Sequence, residues 1–143
     1  MTTVDAAAGG LKTRVETLAT SDYGVQGVFE WAGPMPVSGN RAVAVIEYDG
    51  NSQVTTDAAT DMRFKVTMLV SKASDRVAVS RLYGFAGPAD ATGTLRSVVD
   101  GTLGGLVDFA MVTGDAPLRE YSLGTGEEAV AYLGIEFAVL VGA

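Results

Sequence analysis

Apolar and polar positions along this chain alternate in two periods. Near the N-terminus, "AAAGGLKTRVETLA" (Ala6–Ala19) sets Leu11, Val15 and Leu18 on one helical face, with Lys12, Arg14 and Glu16 on the other side. Gly9 and Gly10 weaken its front, so the firm helix is expected to begin near them. The period then shortens. "VQGVFEW" (Val25–Trp31) and "RAVAVIEY" (Arg41–Tyr48) read as strands, rich in β-branched and aromatic residues. In "RFKVTMLVS" (Arg63–Ser71), Phe64, Val66, Met68 and Val70 face one way, and Arg63, Lys65 and Thr67 the other. The last strand is expected from about Ala129 to Val141, with Leu133, Ile135, Phe137, Val139 and Val141 forming one apolar face.

Between these elements the punctuation is clear. Pro34 and Pro36 cannot donate to a sheet ladder, so "AGPMPVSGN" is a loop. "DGN" (Asp49–Asn51) marks a turn, and the polar run "SQVTTDAATD" an excursion carrying Asp57 and Asp61. "SDRVAVSRLYGFAG" is predicted as a helix. Ser74 is its N-cap candidate, Asp75 suits the positive end of the dipole, Gly84 is a left-handed stop, and Ala78 and Leu82, with Phe85 at the end, form the buried stripe. "TGTLRSVVDG" predicts a shorter helix capped by Thr92 or Thr94, with Leu95, Val98 and Val99 inward. Gly101, Gly104 and Gly105 follow where the backbone must reverse. Val107, Phe109 and Met111 then alternate with Asp108 and Ala110 as a strand, and "LREYSL" (Leu118–Leu123) is a short segment after it. The order α-β-β-β-α-α-β-β-β predicts an α+β fold: a largely antiparallel sheet with helices packed on one face, in one domain spanning 1–143.

Composition narrows the functional classes. Hydrophobic residues make up 48% of 143, which implies an unusually complete core or apolar surface covered by copies or a partner. With no cysteine and no histidine, Ser-His-Asp, Cys-His, thiolate-metal and histidine-metal constellations are out of reach. The glycine clusters match no phosphate-binding loop, and "DGNSQ" lacks the spacing of a calcium loop. Paired carboxylates remain, Asp57 with Asp61 and Glu127 with Glu128, both on polar loops where solvated surface is the simpler role. No catalytic residue, metal ligand or cofactor site is expected. Ten basic against 17 acidic residues give −7, a balance unsuited to gripping a phosphate backbone but compatible with nucleic acid sliding past. The start lacks signal-peptide regions, and the apolar tract at 129–143, interrupted by Glu136, falls short of the roughly 20 residues that span a bilayer. A soluble protein without membrane contact is expected.

Taken in order, the segments "GLKTRVETL", "SDRVAVSRLYGFAG", "ATGTLRSVVDGTLGGLVDFAMVTG" and "YLGIEFAVLVGA" resemble the tail terminator (tail completion) proteins of long-tailed bacteriophages with flexible, non-contractile tails. The resemblance runs from Leu11 to Val141 and lies in the order of the elements rather than in any one motif. Where many members carry a proline or a charged residue, Gly101 stands here, which loosens the turn. The resemblance implies a structural virion protein, not an enzyme. It implies a ring, usually of six copies, at the head-proximal end of the tail tube, assembled in the host bacterial cytoplasm. The ring ends tube polymerisation and provides the joining surface for the head. Its partners are further copies of itself, the tail tube protein and the head–tail connector, with viral DNA passing through the lumen. Six copies carry six times −7, or −42 formal charges, so contacts between copies must be apolar or locally complementary. Candidate contacts are Trp31, Met35 and Val37 in the proline loop, and the 49–61 loop with Asp57 and Asp61. Other phage connector or minor tail proteins, a small α+β enzyme and a ligand-binding oligomer stand as alternatives.

Overall fold

A computed structural model describes residues 3–18, 24–29, 41–53, 60–71, 75–123 and 130–142. Their order is α1 (Val4–Val15), β1 (Gly24–Phe29), β2 (Arg41–Gln53), β3 (Thr60–Ser71), α2 (Asp75–Phe85), α3 (Leu95–Val99), β4 (Phe109–Asp115), β5 (Arg119–Leu123) and β6 (Val130–Gly142). This is the α+β order read from the sequence. The strands form one six-stranded sheet in the order β1-β2-β3-β6-β4, with β5 also on β6. Every pairing is antiparallel except β1 with β2, which run parallel.

β4 and β5 are two lengths of one edge. Phe109 lies opposite Gly142 and Asp115 opposite Phe137, while Arg119 lies opposite Gly134 and Leu123 opposite Val130. The Ala116 N–H still reaches the Glu136 carbonyl at 2.9 Å, and Pro117, which has no N–H to give, follows at the break.

The main core lies between the helices and one face of the sheet. Ala7, Leu11, Val15 and Leu18 of the α1 region meet Leu82 and Phe85 of α2, Leu95 and Val99 of α3, and the inward residues of β2, β3, β6 and β4. A smaller cluster of Val43, Val45, Leu69 and Tyr132 is buried on the opposite face, with Val28 and Tyr121 packed against it. The central strands are therefore enclosed on both sides, which is why Ala42–Ile46 and Val66–Val70 are buried at every position rather than at every second one.

Four local expectations change. α1 starts at Val4, capped by the Thr3 hydroxyl accepting the Ala6 N–H at 3.1 Å, so Gly9 and Gly10 lie inside the helix. Gly10 lies against the glycine-rich turn, where an added Cβ would stand 2.7 Å from Leu106 Cδ2 and push that exposed side chain aside. α2 continues through Gly84 to Phe85, whose ring is buried in the core, so Gly84 is not a left-handed stop. Ser74 and the side chains of Asp75 and Ala78 lie outside what is described. "DGN" is not a chain reversal either: β2 runs on to Gln53, and Gly50, at φ +104, takes up a bulge between Tyr48 and Asn51. β3 accordingly begins at Thr60 and includes Asp61.

The glycine-rich stretch after α3 forms a left-handed turn. Leu103, Gly104 and Gly105 all have positive φ, and the Thr102 carbonyl accepts the N–H groups of Gly105, Leu106 and Val107 at 3.0–3.1 Å. Leu103 holds a conformation that costs a non-glycine residue on the order of 1 kcal/mol, offset by burying its side chain against α1. Thr94 caps α3 by accepting the Ser97 N–H at 3.1 Å. Arg14 ties α1 to α3, its Nε donating to the Val98 carbonyl at 2.9 Å.

Candidate interaction surface

Large apolar side chains stay exposed at both edges of the sheet. On β4, Ala110 and Val112 point into the core, and Phe109 and Met111 point outward, 39% and 45% exposed. Leu103 and Val107 of the left-handed turn belong to the same core as Ala110 and Val112. Phe109 instead lies across Gly142 of β6, where any Cβ would collide with its ring. Met111 stands opposite Leu140, and Arg63 of β3 lies beyond it in the same rung. Asp108 and Asp115, both exposed, flank this apolar run.

At the opposite edge, Phe29 ends β1 with 48% of its surface exposed. The Lys12 ammonium of α1 sits 5.5 Å from its ring centroid, a cation–π contact. Gly27 permits this approach, since a Cβ there would meet Lys12 Cγ at 2.7 Å.

The backbone of both edges is closed to strand addition at these places. On β1, the Gly27 N–H donates to Glu16 Oε2 at 3.2 Å. On β4, the Val112 N–H donates to Asp100 Oδ1 at 2.9 Å, and Ala110 exchanges both backbone bonds with Gly101. Glu16 is the C-cap of α1 and Asp100 that of α3, so each edge is stopped by an acid from the end of a helix. β5 is short and carries charge: Arg119 Nη2 donates to Glu136 Oε1 at 2.5 Å and its guanidinium lies 4.7 Å over the Tyr121 ring.

An open pocket of about 390 Å³ lies where the β4–β6 register slips, lined by Asp49, Lys65, Asp115, Glu136 and Ala138 among others. Its carboxylates face a single ammonium, with no nucleophile–base pair in its lining. Among the described residues no three potential metal ligands gather at one point.

Of the residues singled out from sequence as contacts, Trp31, Met35, Val37 and Asp57 lie outside the described residues, as do Glu127 and Glu128. Asp61 is half-buried on β3, opposite Gly142, rather than in a loop. The sequence places Lys12 and Glu16 on the outer side of the first helix, but it does not identify Phe29, Phe109 and Met111 as exposed, nor Glu16 and Asp100 as closing the sheet edges. The signal available was the surplus of apolar residues, which says that such a surface exists but not where. No helix among the described residues is long and apolar enough to cross a membrane. Compared with known proteins, the sequence matches no protein-family model and no curated protein.

Proposed function

We propose that this protein is a ring-forming tail terminator of a long-tailed, non-contractile bacteriophage: a structural subunit that ends the tail tube and offers the joining surface to the head. The observation that carries the reading is the state of the sheet edges. Bulky apolar side chains are exposed at both, while the backbone beside them is closed by Glu16 and Asp100. A subunit that must bind copies of itself in one fixed geometry gains from such edges, because side-chain contacts define a limited interface, whereas open strands recruit any other strand. Two different edges on one subunit also suit a head-to-tail contact, the kind that closes into a ring. The acidic balance of −7 suits a lumen that DNA must slide through without sticking.

The test is genetic. Removing the gene from the phage that encodes it should give tails of uncontrolled length and DNA-filled heads left unjoined. Tails of normal length attached to heads would end this reading.

A further inference from the structure

We infer that copies of this chain meet head to tail across opposite edges of the sheet, the Phe29–Lys12 edge of one copy seated on the Phe109–Met111 edge of the next through side chains alone. The inference rests on the ring reading and specifies its interface.

Three observations lead there. The first is position. β1 and β4 are the two ends of the strand order β1-β2-β3-β6-β4, four inter-strand steps of about 4.8 Å apart. Two such patches on one subunit make a heterologous contact, which propagates around a ring, whereas one self-complementary patch stops at a pair.

The second is charge. Lys12 lies over Phe29, while Asp108 and Asp115 flank Phe109 and Met111. None of the three charged groups forms an ion pair with a described residue. A cation beside an apolar ring at one edge thus matches two anions around an apolar pair at the other. For a chain with net charge −7, this is the local complementarity that repeated self-association requires.

The third is the closed backbone. With the Gly27 and Val112 N–H groups held by Glu16 and Asp100, and Ala110 paired to Gly101, the edges cannot fuse into one continuous sheet there. The exposed side chains are what remains for a second copy to grip. A second copy is the occupant favoured over an unrelated protein because both halves of the match are on this one chain.

Cross-linking tests this directly, since the chain has no cysteine of its own. Gln26→Cys and Thr113→Cys place thiols on exposed β1 and β4 positions while leaving Phe29, Lys12, Phe109 and Met111 intact. Oxidation of the protein carrying both should give a ladder of species beyond the dimer, with neither single substitution doing so. A disulfide dimer from either single substitution would mean a two-fold contact and overturn the inference. An oligomeric mass by light scattering without the ladder would overturn it too, while leaving the ring reading standing. A monomer with no ladder at high concentration likewise overturns the contact, and the gene deletion then decides the ring reading separately. Charge exchange gives a second measurement. Lys12→Glu should weaken association about tenfold, and Asp108→Lys with Asp115→Lys in the same chain should recover most of it. A loss with no recovery would count against the pairing.

Discussion

The carboxylate of Asp100 accepts the N–H of Val112 at 2.9 Å, twelve residues further along the chain. An acid at a helix C-terminus is ordinarily unfavourable, because the last carbonyls already carry negative partial charge. Asp100 nevertheless caps α3, and Glu16 in the same way caps α1 while accepting the Gly27 N–H. In both cases the partner that rewards the acid is a strand amide and not the helix, so the placement serves the sheet edge.

Replacing Asp100 with alanine should therefore act on the sheet. The charge-assisted bond is partly exposed, so its loss is expected to cost about 1 kcal/mol, or about 3 °C in a chain of this size. The freed amide should also increase light scattering on concentration, as an open edge does. Asp100→Asn keeps an accepting oxygen and should stay close to the parent in both measurements. Thermal melts paired with scattering at matched concentration check this. An alanine variant as stable and as dispersed as the parent would remove Asp100 from this role.

The parts of the fold legible in the sequence are those where one period decides the outcome. β6 shows Leu133, Ile135, Phe137, Val139 and Val141 on one face, and the structure buries all five. Leu11, Val15 and Leu18 were equally plain. Legibility failed where a neighbouring layer decides. The alternation from Val107 to Met111 marks a strand but not which side faces inward, and the structure buries Ala110 while Phe109 and Met111 point outward. "DGN" has turn chemistry, but Gly50 spends it on a bulge inside a continuing strand. Edge closure by Glu16 and Asp100 joins residues 11 and 12 apart through tertiary geometry, and neither carries a sequence signature.

Two glycine-to-alanine substitutions should move stability in opposite directions. Gly9 lies within α1 with nothing inside 4 Å of an added Cβ, so alanine there should stabilise by about 0.5–1 kcal/mol through the unfolded chain. Gly134 lies in β6 beneath Leu69 and the Tyr121 ring, where a Cβ would stand 2.7 Å from each. Alanine there should destabilise by about 1–3 kcal/mol, since Leu69 belongs to the smaller core cluster and Tyr121 packs against it. Urea denaturation midpoints decide the signs, and a stabilising Gly134→Ala would contradict the packing described for that face.

Alkaline stability should report on Tyr121. Burial pushes its phenol above the ordinary value near 10, with the Arg119 guanidinium opposing and the Glu136 carboxylate adding to the rise. The unfolded phenol then loses its proton before the folded one. The contribution is complete below about pH 10 and is lost as pH rises through the folded value. Stability should change little between pH 6 and 9, a range in which a chain without histidine or cysteine has few groups to titrate. Tyr121→Phe should flatten the decline above pH 10 relative to the parent, while lysines titrate alike in both. Equal declines in the two proteins would show that the phenol stays accessible.

Thr67 offers the sharpest test of the second face. It is fully buried on β3 between Val45 and Glu136 in the neighbouring strands, and its hydroxyl has no hydrogen-bond partner among the described residues. A buried hydroxyl left unpaired costs about 1–3 kcal/mol relative to the same group in water. Valine has nearly the same shape and the same β-branching that suits a strand, with a methyl in place of the hydroxyl. Thr67→Val should therefore raise stability by about 1 kcal/mol, whereas Thr67→Ser, which removes the methyl and keeps the hydroxyl, should lower it. Measuring both by urea denaturation separates the two contributions. A valine variant less stable than the parent would show that the hydroxyl is bonded and that the cluster of Val43, Val45, Leu69 and Tyr132 depends on a polar contact at its margin.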